Sequence, residues 1–199
     1  DALTPFIDDT VDRLMAPLLD GGEVEVVERV SVILPLVVIS RLAGVPPADA
    51  AAFLAHRRDL SVAFGAIPPD ERDSADTALL WLRDHLARLW KGSGETRPLF
   101  PDGGADQLAS EEAIDNLTFF FFAGVETTAA MLATAMATLV DHPGQLERLR
   151  NDLGLVPSAV EEVLRFDAPI QATTRYVLAP ISVAGREIKA GRIVNLLIG

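Results

Sequence analysis

Residues 116–139, NLTFFFFAGVETTAAMLATAMATL, decide the reading of this chain. From Leu117 to Val125 the stretch is almost continuously apolar, so a helix here is hydrophobic all round and is expected in the interior. Glu126 interrupts the run too soon for a membrane span, which needs ~20 apolar residues. A buried helix carrying Glu126, Thr127 and Thr128 halfway along needs partners for them, because an unpaired buried polar group costs about 1–3 kcal/mol. Residues three and four apart share a helix face, so Ala123 lies with Thr127, and Gly124 with Thr127 and Thr128. Small residues beside hydroxyls make a shallow notch. A threonine hydroxyl that bonds back to the carbonyl four residues earlier, on Ala123 or Gly124, bends or opens the helix there. A notch of this kind beside an acid suits a flat ligand with proton donors at its edge. The same three residues, Gly124, Thr127 and Thr128, serve equally to let another helix pack closely.

Working outward, Ser110 with Glu111 and Glu112 makes a helix start, and His142-Pro143 makes a stop after Val140. Roughly thirty residues at ~1.5 Å each cross a whole domain, which is the length of a scaffold helix. Downstream, Gly144 to Asn151 reads as a short charged helix and Pro157 to Phe166 as another. On the latter, Glu162 and Arg165 are three apart and share a face; alone they are a surface ion pair worth ~0.2–0.5 kcal/mol. Asp167-Ala168-Pro169 ends that helix and the period changes. Thr173 to Leu178, Ile181 to Ala184 and Arg192 to Leu197 are rich in apolar and β-branched residues, with Gly185 and Gly191 marking turns, so a small sheet is expected.

Upstream, Pro5 to Leu19 repeats Ile7, Val11, Leu14, Met15 and Leu18 at helical spacing and stops at Gly21-Gly22. A second helix is expected over Val26 to Ala43, begun or interrupted by Pro35 and ended by Gly44-Val45-Pro46-Pro47. Ala48 to Phe64 and Ser74 to Trp90 give a third and fourth, joined by the turn-rich Gly65 to Arg72. The fourth carries Leu79, Leu82, Leu86 and Leu89 on one stripe. Gly92 to Gln107, rich in Gly, Pro and Asp, is expected as an exposed loop. The fold class is therefore mainly α with a small β region.

Composition narrows the function classes. The chain has 199 residues, 49% of them hydrophobic, a mean hydropathy of +0.27 and a net charge of −12. It can bury a sizeable core, as one domain. The acidity, with no long run among the 17 basic residues, argues against nucleic acid. No signal peptide or membrane anchor is evident, so a soluble, cytoplasmic protein of bacterial style is expected. Cysteine is absent, which leaves neither a disulfide framework nor a thiolate metal site.

Ala123-Gly124-Val125-Glu126-Thr127-Thr128 resembles the oxygen-activation motif of the cytochromes P-450, the heme-thiolate monooxygenases, where the pattern is Ala/Gly-Gly-x-Asp/Glu-Thr-Thr/Ser on the long central helix. Glu162-x-x-Arg165, following at this separation, is similar to the family's structural Glu-x-x-Arg pair, and the two motifs in this order are far more specific than either alone. The run Leu34-Pro35-Leu36-Val37-Val38-Ile39 with Leu42-Ala43-Gly44-Val45-Pro46 is similar to a stretch common in soluble bacterial members. Ala168 to Arg175 resembles the strand that passes beside the heme.

The resemblance implies a partial cytochrome P-450 fold: one partial domain over 1–199, with surface and lid helices in 1–107, the oxygen-activation helix in 108–142, short helices with Glu-x-x-Arg in 143–169 and the start of a small sheet in 170–199. It implies heme b as cofactor, with Ala123 and Gly124 leaving space for oxygen, Thr128 beside them and Arg175 on a propionate, a role that suits a forked guanidinium. Thr127 is expected to donate a hydrogen bond to dioxygen at the heme and position water, and Glu126 to relay protons from solvent. Phe119, Phe122, Ile170 and Ala172 are expected to wall an apolar substrate. A ferredoxin or flavoprotein would supply electrons, and neither nucleic acid nor membrane is an expected partner.

The family's iron takes a Cys thiolate, and this chain has no Cys, so no metal ligand is assigned. The run Asn195 to Gly199 is an apolar strand stopping in mid-course. Both fit an internal fragment, with the opening helices before Asp1 and the ligand loop after Gly199. The rival readings are a non-catalytic helical small-molecule-binding domain, a carboxylate metal bundle and a hydrolase. His56, His85 and His142 lack the Glu-x-x-His spacing of the second and are expected at the surface; no Gly-x-Ser-x-Gly supports the third.

Overall fold

A computed structural model describes residues 3–19, 21–46, 49–63, 68–92 and 110–198, apart from the side chains at 50, 51, 91, 92 and 110. The loop expected over Gly92 to Gln107, the turn at 65–67 and the helix ends expected at Ala48 and Phe64 lie outside the described residues. The chain divides into two units, 1–129 and 130–199.

In the first unit, helix α1 (Thr4–Met15) starts with Pro5 in its first turn, where the missing N–H is no loss, and relaxes into a 3₁₀ turn at Ala16–Leu18. The helix expected from Val26 divides. A π-turn, Val27–Ser31, closes with Val32 N–H donating to Val27 O at 2.9 Å, and α2 proper runs Ile33–Ala43 with Pro35 in its opening turn. Gly44, at φ 70°, ends α2 in the left-handed conformation that L side chains resist, and Val45 N–H reaches back to Ser40 O at 2.8 Å. Helices α3 (Ala50–Ala63) and α4 (Arg72–Gly92) pack against each other, and α5 (Ser110–Asp141) is the long helix that the capping and stop signals predict.

The core of this unit joins Leu36 and Ile39 of α2, Phe53 and Leu60 of α3, Leu82 and Leu86 of α4, and Leu117, Phe121 and Val125 of α5. Every fourth residue of α5 from Ala113 to Ala129 is buried, joined toward the start of the helix by Ile114 and Thr118. Arg83 of α4 fixes the first turns of α5: its guanidinium donates to Asp115 Oδ1 at 2.6 Å and to Glu111, and those bonds raise its pKa. The expectation of burial all round α5 is corrected. Away from those positions Phe119 is 55% and Phe120 50% exposed. An unbroken apolar run reports composition and not direction. By length and composition alone Glu111–Asp141 is also apolar enough to cross a membrane, a test that core helices of soluble proteins pass as well.

Of the three histidines expected at the surface His142 is exposed, while His56 and His85 are half-buried. His56 and His85 flank Trp81, with ring centroids 4.3 and 5.4 Å away, and His85 is held by Asp49 at 3.2 Å. Aromatic faces attract imidazole rings as readily as phenyl rings, and spacing counts do not register that.

The second unit contains α6 (Pro143–Asn151), a 3₁₀ turn at Leu153–Leu155 and α7 (Val156–Phe166). Two antiparallel ribbons follow instead of one sheet. Strand β1 (Ala172–Tyr176) pairs with β4 (Ile193–Leu197), with Arg175 opposite Val194, and β2 (Ile181–Val183) pairs with β3 (Arg186–Ile188). Strand β3 was not expected because Arg186-Glu187 breaks the apolar pattern. The turn explains it: Ala184 (φ 48°) and Gly185 (φ 76°) are both left-handed, as a two-residue hairpin loop with the strands' own twist requires.

Candidate functional site

The motif residues divide among three directions around α5. Phe119, Ala123 and Thr127, each four residues apart, lie on the face away from the buried stripe. Phe122 and Glu126 line a crevice toward α2 and α3. Gly124 points toward α2: a Cβ placed on it would meet Ile39 Cδ1 at 2.9 Å and Cγ1 at 3.2 Å. Its missing side chain is therefore accounted for by close helix packing, the second of the two uses open to it from sequence. Phe122 likewise packs on the core instead of standing at an open wall. Thr128 is exposed.

Thr127 Oγ1 donates to Ala123 O at 2.8 Å, the backward bond that the spacing predicts, yet the helix continues without a break through this turn. The hydroxyl's single proton is thus engaged, and what it offers outward is its lone pairs. Glu126 is half-buried and makes no hydrogen bond or ion pair among the described residues. It shares the crevice, about 30 Å³, with Arg57 of α3. Arg57 is the polar residue that sequence reasoning missed. It lies far from Glu126 along the chain and belongs to no motif, so only tertiary structure brings the two to one place.

In the second unit Glu162 and Arg165 form the pair that their spacing predicts. Arg165 Nε donates to Oε2 at 2.8 Å and Nη2 to Oε1 at 2.7 Å, a two-pronged bond that holds the Glu162 pKa below the usual carboxylate range and raises that of Arg165. The pair lines a cavity of about 470 Å³ with His142, Arg148, Leu155 and Phe166. Ile170 and Ala172 are exposed. Arg175 is exposed and spends only Nη1, on Thr173 Oγ1 and Thr174 O, both at 2.9 Å, which leaves the rest of its fork available to an anion.

Residues 95–199 match the family model described as Cytochrome P450. The chain belongs to the cytochrome P450 family. Among curated relatives it is 34% identical to cytochrome P450 monooxygenase PikC of Streptomyces venezuelae, over 98% of this chain and 48% of that protein. It is 37% identical to pentalenic acid synthase of Streptomyces avermitilis, over 95% of the chain and 48% of the relative. Of solved structures, ligand-free CYP164A2 of Mycobacterium smegmatis superposes with a TM-score of 0.88 at 28% identity, covering 98% of this chain and 53% of that one. The P450 chain thus spans about half the length of the curated relatives it matches.

Family membership implies a heme cofactor, and the residues present fit the edge of a flat, largely apolar group. The open face of α5 offers a methyl at Ala123 between a ring at Phe119 and a hydroxyl at Thr127, with nothing bulkier at 123. Arg175 has a free guanidinium edge suited to a carboxylate. None of the 199 residues is a cysteine, so the family's axial thiolate is not among them.

Proposed function

We propose that the full-length P450 is a heme-dependent monooxygenase that inserts one oxygen atom of O2 into an apolar organic substrate, with heme b as cofactor and a ferredoxin or flavoprotein as electron donor, in the cytoplasm. The present residues form part of its single catalytic domain. The observation that carries this reading is the open face of α5, where a small residue at Ala123 and a lone-pair-bearing hydroxyl at Thr127 stand one turn apart.

Heme supplies the activation of dioxygen. The second oxygen atom leaves as water, so protons must be delivered and stray water kept in order, and those are tasks for the chain's own side chains. Thr127, its proton held by Ala123 O, accepts a hydrogen bond and fixes a water against the open face. The donating role expected for it would require the hydroxyl to release Ala123 first. Glu126, half-buried, is the carboxylate that takes protons from solvent at the crevice and passes them on. Phe119 in the first unit and Ile170 and Ala172 in the second are each assigned to substrate contact, and Arg175 to a propionate. Gly124 contributes by letting α5 seat closely on α2. The test is Thr127→Ala in the full-length protein, which is expected to uncouple turnover and yield hydrogen peroxide in place of hydroxylated product; unchanged coupling refutes the assignment.

A further inference from the structure

Gly124 and Thr127 are linked through one peptide group. Ala123 O accepts the Thr127 hydroxyl at 2.8 Å, and that carbonyl belongs to the peptide running into Gly124 N. A peptide is planar, so the place of Gly124 Cα helps to fix the direction of the Ala123 carbonyl, and with it the Thr127 side chain.

The neighbour that bears on Gly124 is Ile39 of α2, 8% exposed. The three atoms nearest to the place of a Cβ on Gly124 all belong to it: Cδ1 at 2.9 Å, Cγ1 at 3.2 Å and Cβ at 3.7 Å. The isoleucine thus fills the notch left on α5. Its branched Cβ allows it few rotamers in a helix, which makes the contact stiff. α2 is well held on either side of Ile39. Leu36, one turn before, is 2% exposed in the same core. After it, the Arg41 guanidinium lies over the Phe6 ring of α1, 5.6 Å from the centroid, and the Gly44 cap closes on Ser40 O.

We propose that Ile39 is a positioning residue for the Ala123–Thr127 turn: seated against Gly124, its side chain sets the Ala123 carbonyl and so the placement of the Thr127 hydroxyl. Ile39 touches no reacting atom in this scheme and acts through the α5 backbone. Its consequence for turnover rests on the role proposed for Thr127, whereas the seating itself does not.

The test takes the full-length, heme-loaded protein, reduced under carbon monoxide, and reads the infrared C–O stretch. That stretch follows the local field and hydrogen bonds at the probe, which a loss of stability alone leaves in place. Ile39→Ala empties the notch and is expected to shift the wild-type band toward its position in Thr127→Ala. Ile39→Val keeps the branch and is expected to keep the band. Gly124→Ala/Ile39→Ala refills the notch from the other side, with the new Cβ 3.7 Å from that of residue 39, an ordinary contact, and is expected to restore the band. Should Ile39→Ala fail to fold, Gly124→Ala must shift the band and Gly124→Ala/Ile39→Val, which removes the atom at 2.9 Å, must bring it back. A band that stays put in Ile39→Ala and Gly124→Ala while urea unfolding registers lost stability reduces Ile39 to packing and overturns the proposal. If Thr127→Ala uncouples turnover while the band ignores Ile39 and Gly124, the positioning alone fails. If the band follows Ile39 while Thr127→Ala leaves coupling intact, the positioning stands and the monooxygenase role of Thr127 fails.

Discussion

Gly124→Ala measures how closely α5 is seated on α2. The added Cβ would lie 2.9 Å from Ile39 Cδ1, 3.2 Å from Cγ1 and 3.7 Å from Cβ. Carbon atoms rest comfortably at ~3.5–4.0 Å, so the isoleucine must retreat by roughly half an ångström inside a packed core. Overpacking of this order costs about 1–3 kcal/mol. Against it, alanine in a helix interior is favoured over glycine by about 1 kcal/mol. The net expectation is a loss of about 0–2 kcal/mol, a range too wide to decide anything alone. The double-mutant cycle with Ile39→Val is decisive. Ile39→Val removes the very methyl that clashes and by itself costs about 0.5–1.5 kcal/mol. If the clash is real, the double variant is more stable than the sum of the singles by about 1 kcal/mol, within the range seen for residues in contact. Urea unfolding of the four full-length proteins gives the four free energies. If Gly124→Ala raises stability by the full propensity gain and the cycle closes to zero, Gly124 is not there to admit Ile39, and its place in the motif needs the cofactor after all.

Two further outcomes follow from groups with clear electrostatic or hydrogen-bonding states. The hydroxyls of Ser31 and Ser40 are buried and have no hydrogen-bond partner among the described residues, so Ser31→Ala and Ser40→Ala are each expected to leave stability unchanged or raise it by up to ~1 kcal/mol; a clear fall in melting temperature for either would reveal a partner and refute the reading. For Glu162 the folded-state pKa is depressed by the Arg165 hydrogen bond, so its contribution is present above the ordinary carboxylate pKa and is lost as pH falls through the depressed one. Glu162→Gln should therefore melt below wild type at neutral pH, with the difference closing in acid; a gap independent of pH would mean that the pair acts through packing and not charge.

The elements with punctuated ends were legible in the sequence. Helix α5 follows from Glu111-Glu112 at one end and His142-Pro143 at the other, α2 ends at the left-handed Gly44, and the Glu162–Arg165 fork follows from a three-residue spacing on one helix. The elements that escaped lacked such local signals. Strand β3 depends on a hairpin turn at Ala184-Gly185 whose partner strand supplies the apolar residues. The π-turn at Val27–Ser31 leaves no composition signature, and His56 and His85 are drawn inward by Trp81, a residue on another helix for one of them.

The deeper limit concerns α5 itself. FFFFAGVETT mixes residues chosen for two different neighbours, and hydropathy gives both the same sign. Phe121, Gly124 and Val125 answer to α2, α3 and α4, where a neighbouring atom already stands within contact distance. Phe119, Ala123 and Thr127 lie on another face, where the ring of Phe119 is 55% exposed and Ala123 and Thr127 are half-buried. A helix that had only to pack would bring polar residues to that second face, as α4 does with Arg72, Asp73, Asp76 and Asp84. An apolar face left open beside a lone-pair-bearing hydroxyl instead implies a ligand that is itself apolar over most of its area and polar at one point. A heme would have that description, so the roles proposed for Ala123 and Thr127 stand or fall together, and Thr127→Ala is the substitution that tests both.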